Sequence, residues 1–130
     1  MAYKLANILV LDDDTAVREG VAKVLGKAGY TVHKGANGRE GLSILENIEC
    51  DLVITDIIMP EMEGIETITH IRERFPALKI IAMSGGGRLG NTDFLKIAKD
   101  IGAAATISKP ATVRQLLTTV EDNLPPFAKM

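Results

Sequence analysis

The stretch Asp51-Leu52-Val53-Ile54-Thr55-Asp56-Ile57-Ile58-Met59-Pro60 limits what this chain can fold into more than any other. Leu52 to Ile54 form an apolar run with no polar alternation, which reads as a strand covered on both faces. Pro60 has no N–H to give to a ladder or a helix, so the chain leaves the sheet just after Asp56. A carboxylate therefore stands at the carboxyl-terminal end of a buried strand, the edge where open α/β sheets bind their ligands. Taken alone, Asp56 is more simply read as a cap for the following loop. A functional reading needs other charged groups at the same edge.

The same pattern occurs at the amino end, where the apolar run Ile8-Leu9-Val10-Leu11 is followed at once by Asp12-Asp13-Asp14. Helical spacing then takes over, with Val17, Val21, Val24 and Leu25 on one stripe, Asp14 as N-cap and Gly29 as the stop. Tyr30 to Ala36 reads as a short strand, and Asn37 with Glu40 as the cap of a second helix that Gly41 weakens without breaking. After the strand ending at Asp56, a helix is expected from about Gly64 to Phe75, closed by Pro76. A strand over Lys79 to Met83 ends in Ser84 and a glycine-rich loop, Gly85 to Gly90. A fourth helix follows from about Thr92 to Ile101, then a strand over Ala104 to Ser108 that ends at Lys109-Pro110. Thr112 with Gln115 forms a capping-box pattern for a last helix, and Pro125-Pro126 ends it. Five strands alternating with five helices call for right-handed crossovers, a parallel sheet and helices on both faces: a doubly wound α/β fold.

Composition limits the alternatives. With 130 residues, 46% hydrophobic and only 4% aromatic, the chain has the length of one compact domain with an aliphatic core. Its net charge is −2 and Lys and Arg form no run, so no nucleic-acid or anionic-membrane footprint is present. The lone Cys50 cannot make an internal disulfide, no apolar run nears the ~18 residues of a membrane span, and Met1-Ala2-Tyr3-Lys4 does not open a secretory leader. A cytoplasmic setting is expected. His33 and His70 are lone and distant in sequence, and are read as surface residues, as are Arg72 and Arg74.

A parallel sheet gathers its carboxyl-terminal strand ends on one edge, so four strands deliver Asp12 and Asp13, Asp56, Ser84, and Lys109 to one place. Clustered carboxylates repel, so one takes up a proton or a cation sits between them. Oxygen-only ligation suits Mg²⁺, which keeps several waters and is completed by a phosphate oxygen. Lys109 fits a second phosphoryl oxygen as a point charge and the Ser84 hydroxyl a third as a donor. An Asp carboxylate is an established covalent phosphoryl acceptor, and Asp56 is the candidate.

These motifs, together with Gly64, Met83-Ser84 and Ser108-Lys109-Pro110, closely resemble the signature of response-regulator receiver domains, over about residues 7–123. The resemblance implies a single flavodoxin-like receiver domain with strand order 2-1-3-4-5; beyond the last helix the residues themselves read as a loose tail over about 124–130. It also implies that Asp12 and Asp13 are the acidic pair, and that Asp13 and Asp56 bind Mg²⁺ with the backbone carbonyl of Ile58. Asp56 would then accept phosphate from a histidine kinase or a histidine phosphotransfer protein, with Ser84 and Lys109 sensing the phosphoryl group. The implied output is a downstream protein bound by the fourth helix, fifth strand and fifth helix, from a module that assists its own phosphotransfer and is not a turnover enzyme. The chain departs from the family where Tyr or Phe often precedes the lysine, here Thr106, and where Phe often follows Lys-Pro, here Ala111.

Three rival readings stand beside this one. Gly85-Gly86-Gly87-Arg88-Leu89-Gly90 satisfies G-x-G-x-x-G, but it follows the fourth strand and no Asp or Glu ends the next one, against a dinucleotide site. An aspartyl-nucleophile phosphatase of the haloacid-dehalogenase kind would place a second acid where Ile58 stands. A receiver-like interaction module that is never phosphorylated would have no need of the full acidic, hydroxyl and lysine set.

Overall fold

The computed structural model describes residues 6–57, 63–85 and 91–125. The elements alternate as β1 (Asn7–Leu11), α1 (Thr15–Lys27), β2 (Thr31–Gly35), α2 (Gly38–Asn47), β3 (Leu52–Asp56), α3 (Glu63–Arg74), β4 (Lys79–Gly85), α4 (Asn91–Asp100), β5 (Ala105–Lys109) and α5 (Val113–Asn123). The strands form one sheet in the order β2-β1-β3-β4-β5, and every pairing is parallel. This is the doubly wound architecture expected from the sequence.

The continuous apolar runs are explained by cover on both faces. Ile8, Val10, Leu52, Ile54, Ile81 and Met83 point to one face, where Val21 and Leu25 of α1 and Leu116 and Val120 of α5 meet them. Leu9, Leu11, Val53, Ile80 and Ala82 point to the other, against Leu45 of α2, Ile68 and Ile71 of α3 and Ala98 of α4. Because side chains alternate along a strand, one run feeds two cores.

The caps hold as read. The Asp14 carboxylate accepts from the N–H groups of Ala16 and Val17, Asn37 accepts from the Glu40 N–H at 2.9 Å, and Thr112 and Gln115 form the reciprocal capping box. Gly41 has a packing reason that the sequence concealed. A Cβ there would lie 2.6 Å from Leu11 Cδ1, so glycine lets α2 press onto β1 just before Asp12. Gly64 does the same for Asp56: a Cβ would lie 2.5 Å from the Asp56 carbonyl oxygen, so the first turn of α3 packs directly on the end of β3.

Two assignments need correction. Leu124, placed with the loose tail, is only 2% exposed and belongs to the core of the α1 and α5 face; residues 126–130 lie outside the described residues. Arg72, read as an exposed helix residue, is half-buried and donates to the carbonyls of Pro76 at 2.7 Å and Leu78 at 3.4 Å, clasping the turn from α3 to β4. Among the described residues no helix is long and apolar enough to cross a membrane.

Candidate functional site

Register places the polar residues at one edge. Leu11 pairs with Thr55, Asp56 with Met83, Ser84 with Ser108, and Gly85 with Lys109, so the ends of four strands lie side by side. Asp12 and Asp56 are 3% and 6% exposed, whereas Asp13 is exposed. One carboxylate oxygen from each of the three can lie within 4.8 Å of the others. Burying two carboxylates is costly unless they are paired. The partner is Lys109, whose Nζ lies 2.8 Å from Asp12 Oδ2 and 3.3 Å from Asp56 Oδ2.

Burial by itself would lower the pKa of the Lys109 ammonium. The hydrogen bond to Asp12 and the charge of Asp56 outweigh it and raise the pKa above the ordinary lysine value. A raised lysine pKa contributes stability that is complete below the unfolded value of about 10.4 and is lost only as pH rises through the folded one. The bridge is therefore intact across the neutral range.

Asp12 is held from several directions. Its N–H donates to the Gly35 carbonyl at 3.2 Å, its Oδ1 accepts from the Asp14 N–H at 2.9 Å, and its Oδ2 takes Lys109. Asp56 is set by β3, with the Ile57 N–H bonded to the Met83 carbonyl at 3.0 Å just beyond it. Ser84 is fully buried, and its hydroxyl donates to the Gly85 carbonyl at 3.3 Å. Thus Asp12, Asp13, Asp56 and Lys109 converge as expected. Ser84 occupies the adjacent strand without a bond to them among the described residues. Ile58, whose carbonyl the family resemblance assigns to the metal, and the glycine-rich residues 86–90 lie outside the described residues.

The other candidates stay structural. His33, read as a surface residue, is half-buried on β2, with its Nε2 3.2 Å from Asn7 Oδ1. Burial pushes the Cys50 thiol up to about 11, which keeps it protonated and unreactive. The sequence reading missed Arg18, whose guanidinium reaches back from α1 to the Asp12 carbonyl at 2.8 Å. The available signal was a basic residue one turn beyond the Asp14 cap.

The family model for the response regulator receiver domain matches residues 8–121. The chain belongs to this family. It is 36% identical over 124 residues to the sensor kinase CckA of Brucella abortus (strain 2308), a match covering 92% of this chain and 12% of that protein. It is 34% identical over 120 residues to the response regulator receiver protein CpdR of the same organism, covering 92% of this chain and 98% of the relative. A CheY-like response regulator receiver domain protein from Methanospirillum hungatei JF-1 superposes with a TM-score of 0.80 at 35% identity, covering 92% of this chain and 93% of that one. The chain is thus a receiver domain, homologous to the phospho-accepting domains of two-component systems. Receivers are signalling modules, and the cluster of Asp12, Asp13 and Asp56 is compatible with a hard divalent cation.

Proposed function

We propose that Asp56 is the phosphoacceptor of this receiver and takes its phosphoryl group from the phosphohistidine of a histidine kinase or a histidine phosphotransfer protein. The observation that carries the reading is the Lys109 ammonium bridging Asp12 and Asp56 at the carboxyl edge of the sheet. An Asp56 oxygen attacks phosphorus and the P–O bond forms as the P–N bond breaks; the electron pair stays on the histidine nitrogen, and the imidazole, already protonated on its other nitrogen, leaves neutral. Lys109 then follows the negative charge from the carboxylate to a phosphoryl oxygen, and the Ser84 hydroxyl turns from the Gly85 carbonyl to another. The domain assists this transfer and the later hydrolysis but does not turn over a substrate.

The carboxylates fit Mg²⁺ by chemistry, being hard oxygen donors converging from β1 and β3. Asp13 and Asp56 would hold the ion, with Asp12 behind them on Lys109, and the ion would supply positive charge to the phosphoryl oxygens. Incubation of the protein with Mg²⁺ and acetyl phosphate, followed by intact-mass measurement, is expected to show one added phosphoryl group that disappears in chelator. A protein that never gains that mass is the unphosphorylated interaction module. Asp13→Ala is expected to weaken Mg²⁺ binding and, in chelator, to stabilise the fold by up to about 1 kcal/mol through relief of carboxylate repulsion. An unchanged Mg²⁺ titration counts against Asp13 as a ligand.

The output surface we infer is α4, β5 and α5, in a cytoplasmic setting and without nucleic acid or membrane as partner. Thr106 is half-buried and lines a notch of about 390 Å³ with Ser108, Arg114 and Thr118. A side chain so short cannot carry a displacement of Ser84 as an aromatic rotamer would. The signal has to travel along the backbone from Ser84 into the helix that follows the glycine-rich segment. Amide exchange with and without beryllofluoride, which stands in for the phosphoryl group on Asp56, is expected to show increased protection across Asn91–Asp100. A change confined to other elements rejects α4 as the transmitter.

A further inference from the structure

Asp13 is the acid of the cluster that solvent reaches, and among the described residues no hydrogen bond holds its carboxylate. Where its carboxylate can reach therefore depends first on the backbone that carries it, χ1 then choosing among its staggered wells. The peptide group after it is fixed, because the Asp14 N–H donates to Asp12 Oδ1 at 2.9 Å. The peptide group before it is fixed too, because the Asp12 carbonyl accepts from Arg18 Nη1 at 2.8 Å. A residue has only two soft backbone dihedrals, and pinning the peptide planes on both sides removes most of their freedom. The direction of the Asp13 Cα–Cβ bond follows from that.

Arg18 is itself held for this task. Its side chain is 15% exposed, its Nη2 lies 3.4 Å from Thr15 Oγ1, and its Nε lies 3.7 Å from Glu19. Glu19 in turn is bonded at 2.8 Å by Lys34 of β2. A planar guanidinium spreads its donors over three nitrogens and so reaches three separated partners at fixed geometry, where an ammonium offers one point charge.

We propose that Arg18 is a positioning residue of this site: by gripping the Asp12 carbonyl it sets the backbone from which the Asp13 carboxylate reaches the point where the three acids converge. The proposal rests on the reading that the cluster holds Mg²⁺. It makes a prediction opposite in sign to a simple charge effect. A guanidinium near three carboxylates repels an incoming cation, so removing its charge alone would tighten Mg²⁺ binding. Removing a positioning contact loosens it.

The test is a Mg²⁺ titration of wild type, Arg18→Met and Arg18→Lys, followed by calorimetry and by the amide shifts of Asp13 and Asp14. Unfolding of each protein in chelator is measured alongside. Arg18→Met is expected to bind Mg²⁺ about tenfold more weakly, the low end of what loss of an outer-shell partner costs a metal site. Arg18→Lys keeps the charge and can still donate to the Asp12 carbonyl but lacks the planar fork, and is expected to fall between Arg18→Met and wild type. Should Arg18→Met not fold, Arg18→Gln carries the same comparison. Affinity equal to or tighter than wild type in a folded Arg18→Met overturns the positioning role, whatever happens to stability. Wild type that binds no Mg²⁺ overturns the metal reading itself, and the positioning role with it.

Discussion

Asp56→Asn is expected to give a folded protein that gains no mass from acetyl phosphate in Mg²⁺, a loss of on the order of a thousandfold or more in labelling rate, the scale on which removal of a covalent nucleophile acts. Asn conserves the shape that packs at the end of β3, so Gly64 and the first turn of α3 keep their contact with that strand end. What it removes is the anionic oxygen that attacks phosphorus. The charge balance argues that stability does not fall. Asp12, Asp13 and Asp56 cluster, and Lys109 bridges Asp12 and Asp56, so deleting one carboxylate relieves repulsion while Lys109 keeps its shorter bond, at 2.8 Å, to Asp12. Intact mass after incubation, together with denaturant midpoints in chelator, separates the two effects. Equal label uptake by mutant and wild type would remove Asp56 from the chemistry and require another acceptor.

The strands, helices and caps were legible in the sequence because each rests on local rules. An unbroken apolar run such as Ile8 to Leu11 has only a doubly covered strand as its simple solution, and Asp14, Asn37 and Thr112 satisfy orphan amides within three residues of themselves. The membership of the site was legible for the same reason, since a parallel sheet sends every strand end to one edge. Its bonding was not. Lys109 and Asp12 are 97 residues apart, and which carboxylate takes the shorter bond depends on sheet register and on a half-buried rotamer that no local pattern specifies. Gly41 looks like a helix weakness in sequence and Gly64 stands out only through the family resemblance, because the neighbours that demand them, Leu11 and the Asp56 carbonyl, lie on other elements. Arg18 and Arg72 look like solvated charges until the carbonyls they clasp are in place.

Lys109→Met is expected to act on stability and chemistry together, and Mg²⁺ should separate them. In chelator the substitution leaves the Asp12 and Asp56 carboxylates, 3% and 6% exposed, facing each other without their shared cation. Breaking a fully buried pair on one side costs about 3–5 kcal/mol, and the partial access of solvent to this edge brings the expectation to about 2 kcal/mol. The raised lysine pKa makes this loss flat with pH through neutrality; it shrinks only as pH rises past the lysine range, about 10.4 and above, where wild type also loses the ammonium. Denaturant midpoints of the two proteins at neutral and at strongly alkaline pH test that sign, and equal midpoints at neutral pH in chelator would mean the bridge contributes nothing. Excess Mg²⁺ offers the carboxylates a second cation and is expected to restore most of the stability. It cannot restore the donor that Lys109 presents to a phosphoryl oxygen, so phosphorylation in saturating Mg²⁺ stays slower by about a hundredfold, the scale of losing one preorganised contact to developing charge. A mutant whose labelling recovers along with its stability would place Lys109 among the counter-ions of the resting site and outside the transfer.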